Sequence, residues 1–271
     1  MKDIVRQIQN RLIEMGYLDP PPDGVAGVIS HWALRATGYK GTPTAENAED
    51  ILKQLEEMDE LPLKPGDDLA GKIIKAMQKK GYWIARYPAC VNIVYVEGMD
   101  PSGKPNKNEP NQFNDLRTVI RIEKDGTPKI LGKWEATTEP GKYFTQNPMN
   151  SAGAARLAFG QYKAWSMGYH HASKGKNHPA LVQTAPLPVY RDKNKTYKRY
   201  GSTTSGMYGI NQHHGYDLSL HDLGRSSAGC LVGRLKAGHL KFLEIVKSDA
   251  RFKASPSYRF ISTLMPASDV T

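Results

Sequence analysis

Apolar positions at the start of the chain recur with the period of a helix. Val5, Ile8, Leu12 and Met15 share one face, Asp3 precedes most of them as a cap, and Gly16 follows as a stop. After the turn at Pro20, Pro21 and Pro22, Ser30 is expected to cap a second short helix through Trp32, Ala33 and Leu34. A third, acidic helix is predicted over residues 44–60, with Ile51, Leu52, Leu55 and Met58 inward and a solvated charged face. Pro62, Pro65 and Gly66 break the chain, and Asp67 or Asp68 opens a fourth helix carrying Leu69, Ile73, Ile74 and Met77 as far as Gly81.

The period then changes. Residues 91–96, 118–122, 128–131, 134–138, 180–183, 188–192 and 258–264 are rich in strand formers, and Asp125-Gly126 between two of these runs is a hairpin signal. Residues 152–164 predict a short helix or irregular segment, and residues 239–246 a helix. The pattern predicts an α+β protein: a small N-terminal helical module over residues 1–63, then a mostly antiparallel β domain over residues 67–271.

The formal charge of +10 adds attraction to a polyanion. No basic helix, zinc-finger spacing or aromatic RNA-binding motif accompanies it, so nucleic acid is not the expected partner. No run is long and apolar enough to cross a membrane, and Lys2, Asp3, Arg6 and Arg11 interrupt the start as a secretory signal would not allow. Synthesis in the cytoplasm and a monomeric state are expected. The two cysteines, Cys90 and Cys230, are expected as free thiols, which suits a reducing compartment.

Chemistry concentrates in residues 209–234. His213 and His214 precede Cys230, which closes the small-residue turn Ser226-Ser227-Ala228-Gly229. A thiol attacks carbonyls as thiolate and needs a base nearby, which an imidazole supplies. Main-chain N–H groups at Gly229 and Cys230 are the expected donors to a tetrahedral oxyanion. A metal is not expected: His170 and His171 are adjacent, His178 lies apart, and neither H-E-x-x-H nor C-x-x-C is present. No cofactor is expected either.

N-Q-H-H-G over residues 211–215, followed by S-S-A-G-C over residues 226–230, resembles the active-site signature of the L,D-transpeptidase (YkuD-like) family. The chain departs from that pattern at Ala228, where a basic or polar residue is usual, and in having Arg234 as the next arginine after the cysteine. The resemblance implies Cys230 as nucleophile, His213 as base with His214 as alternate, and Gly229 beside the reacting carbonyl. Asn211, Tyr216, Arg225, Ser227 and Arg234 are then the substrate-binding candidates, with Arg225 or Arg234 holding a carboxylate. Near the N-terminus, I-Q-N-R-L-I-E-M-G-Y-L and D-G-V-A-G-V-I-S-H-W-A-L resemble the small three-helix peptidoglycan-binding module, departing at Thr37-Gly38-Tyr39. Tyr17, Trp32 and Tyr39 are its candidate stacking faces. Together the resemblances imply a cysteine enzyme acting on bacterial peptidoglycan stem peptides at a diaminopimelate-to-D-alanine bond. Cleavage by a phage-type lysin or virion enzyme is favoured over crosslinking. A zinc-dependent wall peptidase and a non-catalytic wall- or tail-associated protein are the alternatives. A papain-like enzyme is disfavoured because it places cysteine before histidine.

Overall fold

Helices form where the apolar period puts them. In the computed structural model, which describes residues 2–170 and 177–271, α1 (Lys2–Glu14) buries Ile8 and Leu12 and ends before Gly16, whose φ of +88° suits glycine. The second helix, α2 (Val28–Ala36), starts after Gly27 and not at Ser30. The Ser30 hydroxyl instead accepts from the Gln9 side chain, whose amide also donates to Asp23 and to the Val25 carbonyl and so knits down the preceding loop. The acidic helix α3 (Ala48–Glu56) is shorter than its charge pattern suggests, because Asn47 Oδ1 takes the Thr44 N–H and shapes a turn there. Asp68 caps α4 (Leu69–Lys79) by accepting from Gly71 N at 2.7 Å.

The chain divides into two units. The first comprises Met1–Val91, Arg121–Lys129 and Ser248–Pro256, and contains these four helices and the short α7 (Ala250–Ala254). Leu12, Met15, Leu34, Ile51 and Leu55 form its core. The candidate stacking rings are used in packing: Tyr17 and Trp32 both meet Tyr87, at centroid distances of 5.6 and 5.5 Å, and Tyr39 packs on the same core. Cys90 is a free thiol here, and burial pushes its pKa up.

The second unit, Asn92–Ile120 with Ile130–Lys247 and Ser257–Thr271, carries the sheets. Its strands are β1 (Asn92–Glu97), β2 (Asp115–Ile122), β3 (Pro128–Thr137), β4 (Ala154–Leu157), β5 (Gly160–His170), β6 (His178–Gln183), β7 (Leu187–Asp192), β8 (Thr204–Gly206), β9 (Gln212–His214), β10 (Leu231–Gly233) and β11 (Arg259–Pro266). The ends of β2 and β3 that flank the Asp125-Gly126 turn fall in the first unit's segment. Helices α5 (Lys142–Gln146) and α6 (Lys236–Lys247) complete the unit.

Among the described residues, eight strands close a barrel in the order β1-β11-β5-β6-β9-β10-β3-β2, and β4-β7-β8 form a separate sheet. The protein is therefore α+β as its pattern predicts, but the main sheet closes into a barrel and is not antiparallel throughout. Two neighbouring pairs, β1 with β11 and β9 with β10, run parallel. A parallel pair needs a long return connection in place of a tight turn, and between β9 and β10 that return is the loop of residues 215–230. The segment 152–164, expected as a short helix or irregular, is also corrected: it holds β4 and the start of β5. Gly160 pairs with Leu264, and a Cβ at Gly168 would stand 2.8 Å from Val182, so the glycines admit close neighbours in a long strand.

Candidate active site

The parallel pairing of β9 and β10 builds the site. Leu231 is in register with Gln212 and Val232 with His213, and Leu231 N donates to Asn211 O at 2.9 Å, so the two strands begin side by side. Cys230 therefore stands beside Asn211, whose backbone N–H points at Sγ at 3.4 Å. Successive residues on a strand face opposite ways. Gln212 reaches across the barrel to Tyr95 and Ser262, which turns His213 to the other face and His214 back with Gln212.

The cleft follows that parity. About 390 Å³ in volume, it is lined by Cys230, His213, His170 and Tyr216, with Arg225 and Ser226 beside them. Ring nitrogens of His170 and His213 and the sulfur of Cys230 lie within 4.8 Å of one another. His214 packs elsewhere, on His178 at 4.0 Å and Tyr216 at 4.7 Å between ring centroids.

Hydrogen bonds settle the tautomers. His213 Nδ1 faces the His214 carbonyl at 2.9 Å, and a carbonyl only accepts, so Nδ1 carries the proton and Nε2 keeps a lone pair. The His214 carbonyl thus orients the His213 ring. Asn211 Nδ2 donates to His170 Nδ1 at 3.0 Å, and the His170 ring stacks on His213 with centroids 3.9 Å apart. Asn211 Oδ1 in turn accepts from Gln183 N. Asn211, a substrate-binding candidate by sequence, touches both Cys230 and the His170 ring that stacks on His213.

Burial dominates the electrostatics. It pushes the Cys230 thiol up to about 11, partly offset by the Asn211 N–H, and it lowers His213 well below the ordinary histidine range, with the neighbouring His170 adding to the effect. The resting pair is a neutral thiol and a neutral imidazole, and the thiol proton points to Gly209 O at 3.5 Å. For such a thiol to act as a nucleophile its proton would have to pass to a base, and His213 is an imidazole within 4.8 Å of it.

The turn before Cys230 is held by Ser227, whose buried Oγ donates to Cys230 O at 2.9 Å and accepts from Gly229 N at 3.2 Å. Ser227 faces the turn itself, and the Gly229 N–H is committed to it. Among the described residues the Cys230 N–H has no hydrogen-bond partner. Gly229 has φ +133°, and a Cβ there would lie 2.6 Å from the Ala155 carbonyl, so only glycine fits. Of the two arginines, Arg225 lines the cleft with its guanidinium 3.8 Å from the Tyr143 ring centroid, whereas Arg234 is paired with Glu135 in a different pocket. Tyr216 is exposed at the cleft, held in the left-handed region with φ +59°.

The trio His170, His213 and Cys230 has the ligand types of a zinc site. Its geometry does not suit one. The two rings are stacked with only 16° between their planes, so an ion shared by both would lie far out of each ring plane. His171 lies outside the described residues. His170 itself is the residue that sequence reading weighed for metal and not for catalysis. Its signal, a histidine at the end of a long strand, acquires meaning only through the β5–β6–β9 order that brings it to His213. No protein-family model, curated protein or solved structure matches the chain.

Proposed function

We propose that the protein is a peptidoglycan-modifying cysteine enzyme of the L,D-transpeptidase type, acting on stem peptides by acyl transfer through Cys230 and His213. The observation that carries this reading is the imidazole of His213, its tautomer set by the His214 carbonyl, within 4.8 Å of a cleft-lining thiol. Cys230 Sγ adds to a peptide carbonyl while its proton passes to His213 Nε2. The tetrahedral oxyanion is met by the Cys230 N–H. Collapse breaks the C–N bond, the leaving amine takes the proton from His213, and a thioester remains on Cys230. Water resolves the thioester to a cut peptide, and an amine acceptor resolves it to a crosslink.

Two features of the chain favour cutting in a phage-type lysin or virion enzyme: the helical segment resembling a wall-binding module and the charge of +10 for an anionic wall. The test is mass analysis of purified muropeptides after incubation with wild type and Cys230→Ala. Loss of a terminal D-alanine, a cut crosslink or a new dimer, each present with wild type and absent with the variant, supports the reading and names the activity. Products that persist in Cys230→Ala and vanish on dialysis against a chelator point to the zinc peptidase instead. No product from either protein leaves a non-catalytic wall-binding role.

A further inference from the structure

The cleft does not end at the catalytic turn. A second chamber of about 230 Å³ adjoins it, and the two share walls formed by Phe144, Met149, Ala155, Tyr208 and Ala228. The strands β4 and β7 supply its far side, where Ala155 stands directly opposite Arg191. Opposed residues of an antiparallel pair put their side chains on one face. Ala155 lines both chambers, so Arg191 shares the face turned toward the Cys230 turn, and the short alanine leaves its guanidinium room.

Among the described residues no carboxylate neutralises that charge. Arg191 Nη1 donates to the Gly153 carbonyl at 3.3 Å, and its guanidinium lies 4.6 Å from the Tyr208 ring centroid. The adjacent Asp192 is buried and spent on the Thr196 and Tyr197 backbone N–H groups. Among the described residues no carboxylate pairs with Arg191, nor with Arg225, which rests on Tyr143 in the first chamber. By contrast Arg156, Arg199 and Arg234 are each paired with a glutamate. An aromatic ring beneath a guanidinium fixes its plane without cancelling its charge, which leaves the fork open to a bidentate carboxylate.

From this geometry we propose that Arg191 is a specificity-determining residue that, with Arg225, forms two anion subsites, one in each of the adjoining chambers. The substrate class is a peptide bearing two carboxylates near the carbonyl attacked. The choice of probe rests on the stem-peptide reading above.

Binding is measured by calorimetry on Cys230→Ala, which removes turnover, using L-alanyl-γ-D-glutamyl-meso-diaminopimelyl-D-alanine. Two further probes are the same peptide amidated at its C-terminal carboxyl or at the diaminopimelate D-centre carboxyl. Adding Arg191→Gln is expected to weaken the free tetrapeptide about ten- to hundredfold, as loss of a charge-assisted contact does. One of the two amides is expected to bind weakly already and to lose nothing more from Arg191→Gln, and Arg191→Lys to recover part of the affinity for the free acid. Unchanged affinity in Arg191→Gln, an equal loss for all three peptides, or no binding of any of them overturns the proposal. If wild type makes no product yet the amide dependence holds, acyl transfer falls and the subsite stands. If product forms with the same amide profile in Arg191→Gln, the reverse is true.

Discussion

A buried thiol facing a buried imidazole rests uncharged, and that fixes how Cys230 should respond to pH. With its pKa pushed up to about 11, the thiol is expected to alkylate slowly with iodoacetamide at neutral pH, the rate climbing until about pH 11. A plateau near pH 7 would instead reveal a standing thiolate. Burial lowers His213, so the imidazole remains a competent base into mildly acidic solution, and the acid limb of activity is expected below pH 6.5. His213→Gln is expected to cost about 10² to 10⁴ in turnover, the usual share of a general base, in a steady-state assay on muropeptides. The motif made both residues visible and favoured His213 over His214 by resemblance alone, with no local signal in the residues to decide between the two rings. Which ring faces the cleft depends on the parity of β9 against the barrel interior, seen in Gln212 reaching Tyr95. His170 was illegible as a catalytic neighbour because stacking on His213 is a long-range consequence of strand order.

Two elements hold the Cys230 turn in place, the parallel β9–β10 pair and the β4 strand that passes against Gly229. Gly229→Ala must place a methyl 2.6 Å from the Ala155 carbonyl at φ +133°, so a loss of about 1–3 kcal/mol from backbone strain alone is expected in denaturant unfolding. An unchanged midpoint would mean the turn is not packed as described. The three-stranded sheet is tied to the barrel by Arg199, which bonds Glu97 of β1 through both terminal nitrogens at 2.6 Å and the Leu157 carbonyl of β4 through Nε at 2.7 Å. Arg199→Leu leaves Glu97 buried without its partner and is expected to cost about 3–5 kcal/mol, again by denaturant unfolding. The helices α1 and α4 were legible because their apolar period and caps are local. The second sheet was not, since β4 and β8 are short and their pairing with β7 is not marked by any turn signal.

Across the whole molecule, buried histidines link stability to pH. Burial lowers His214 to about 4 and His239 to about 2, each below the 6.5 of an unfolded chain. The unfolded state therefore takes up protons first as pH falls, and stability present above pH 6.5 is lost below it, by at most about 1.4 kcal/mol per pH unit for each ring. Burial raises Asp115, which acts in the opposite sense, so the comparison is differential. Between pH 6.5 and about 4, His214→Gln is expected to lose less stability than wild type in thermal unfolding, and parallel pH profiles would contradict this. The charge of +10 predicts binding to isolated cell walls that weakens as salt is raised, read by co-sedimentation. The central claim is that Cys230 carries the acyl group, and it is tested most directly by acid-quenching the enzyme during turnover and weighing its peptides. The account predicts a hydroxylamine-labile stem-peptide adduct on the fragment containing Cys230. Turnover without that adduct, undiminished in Cys230→Ala, would contradict it.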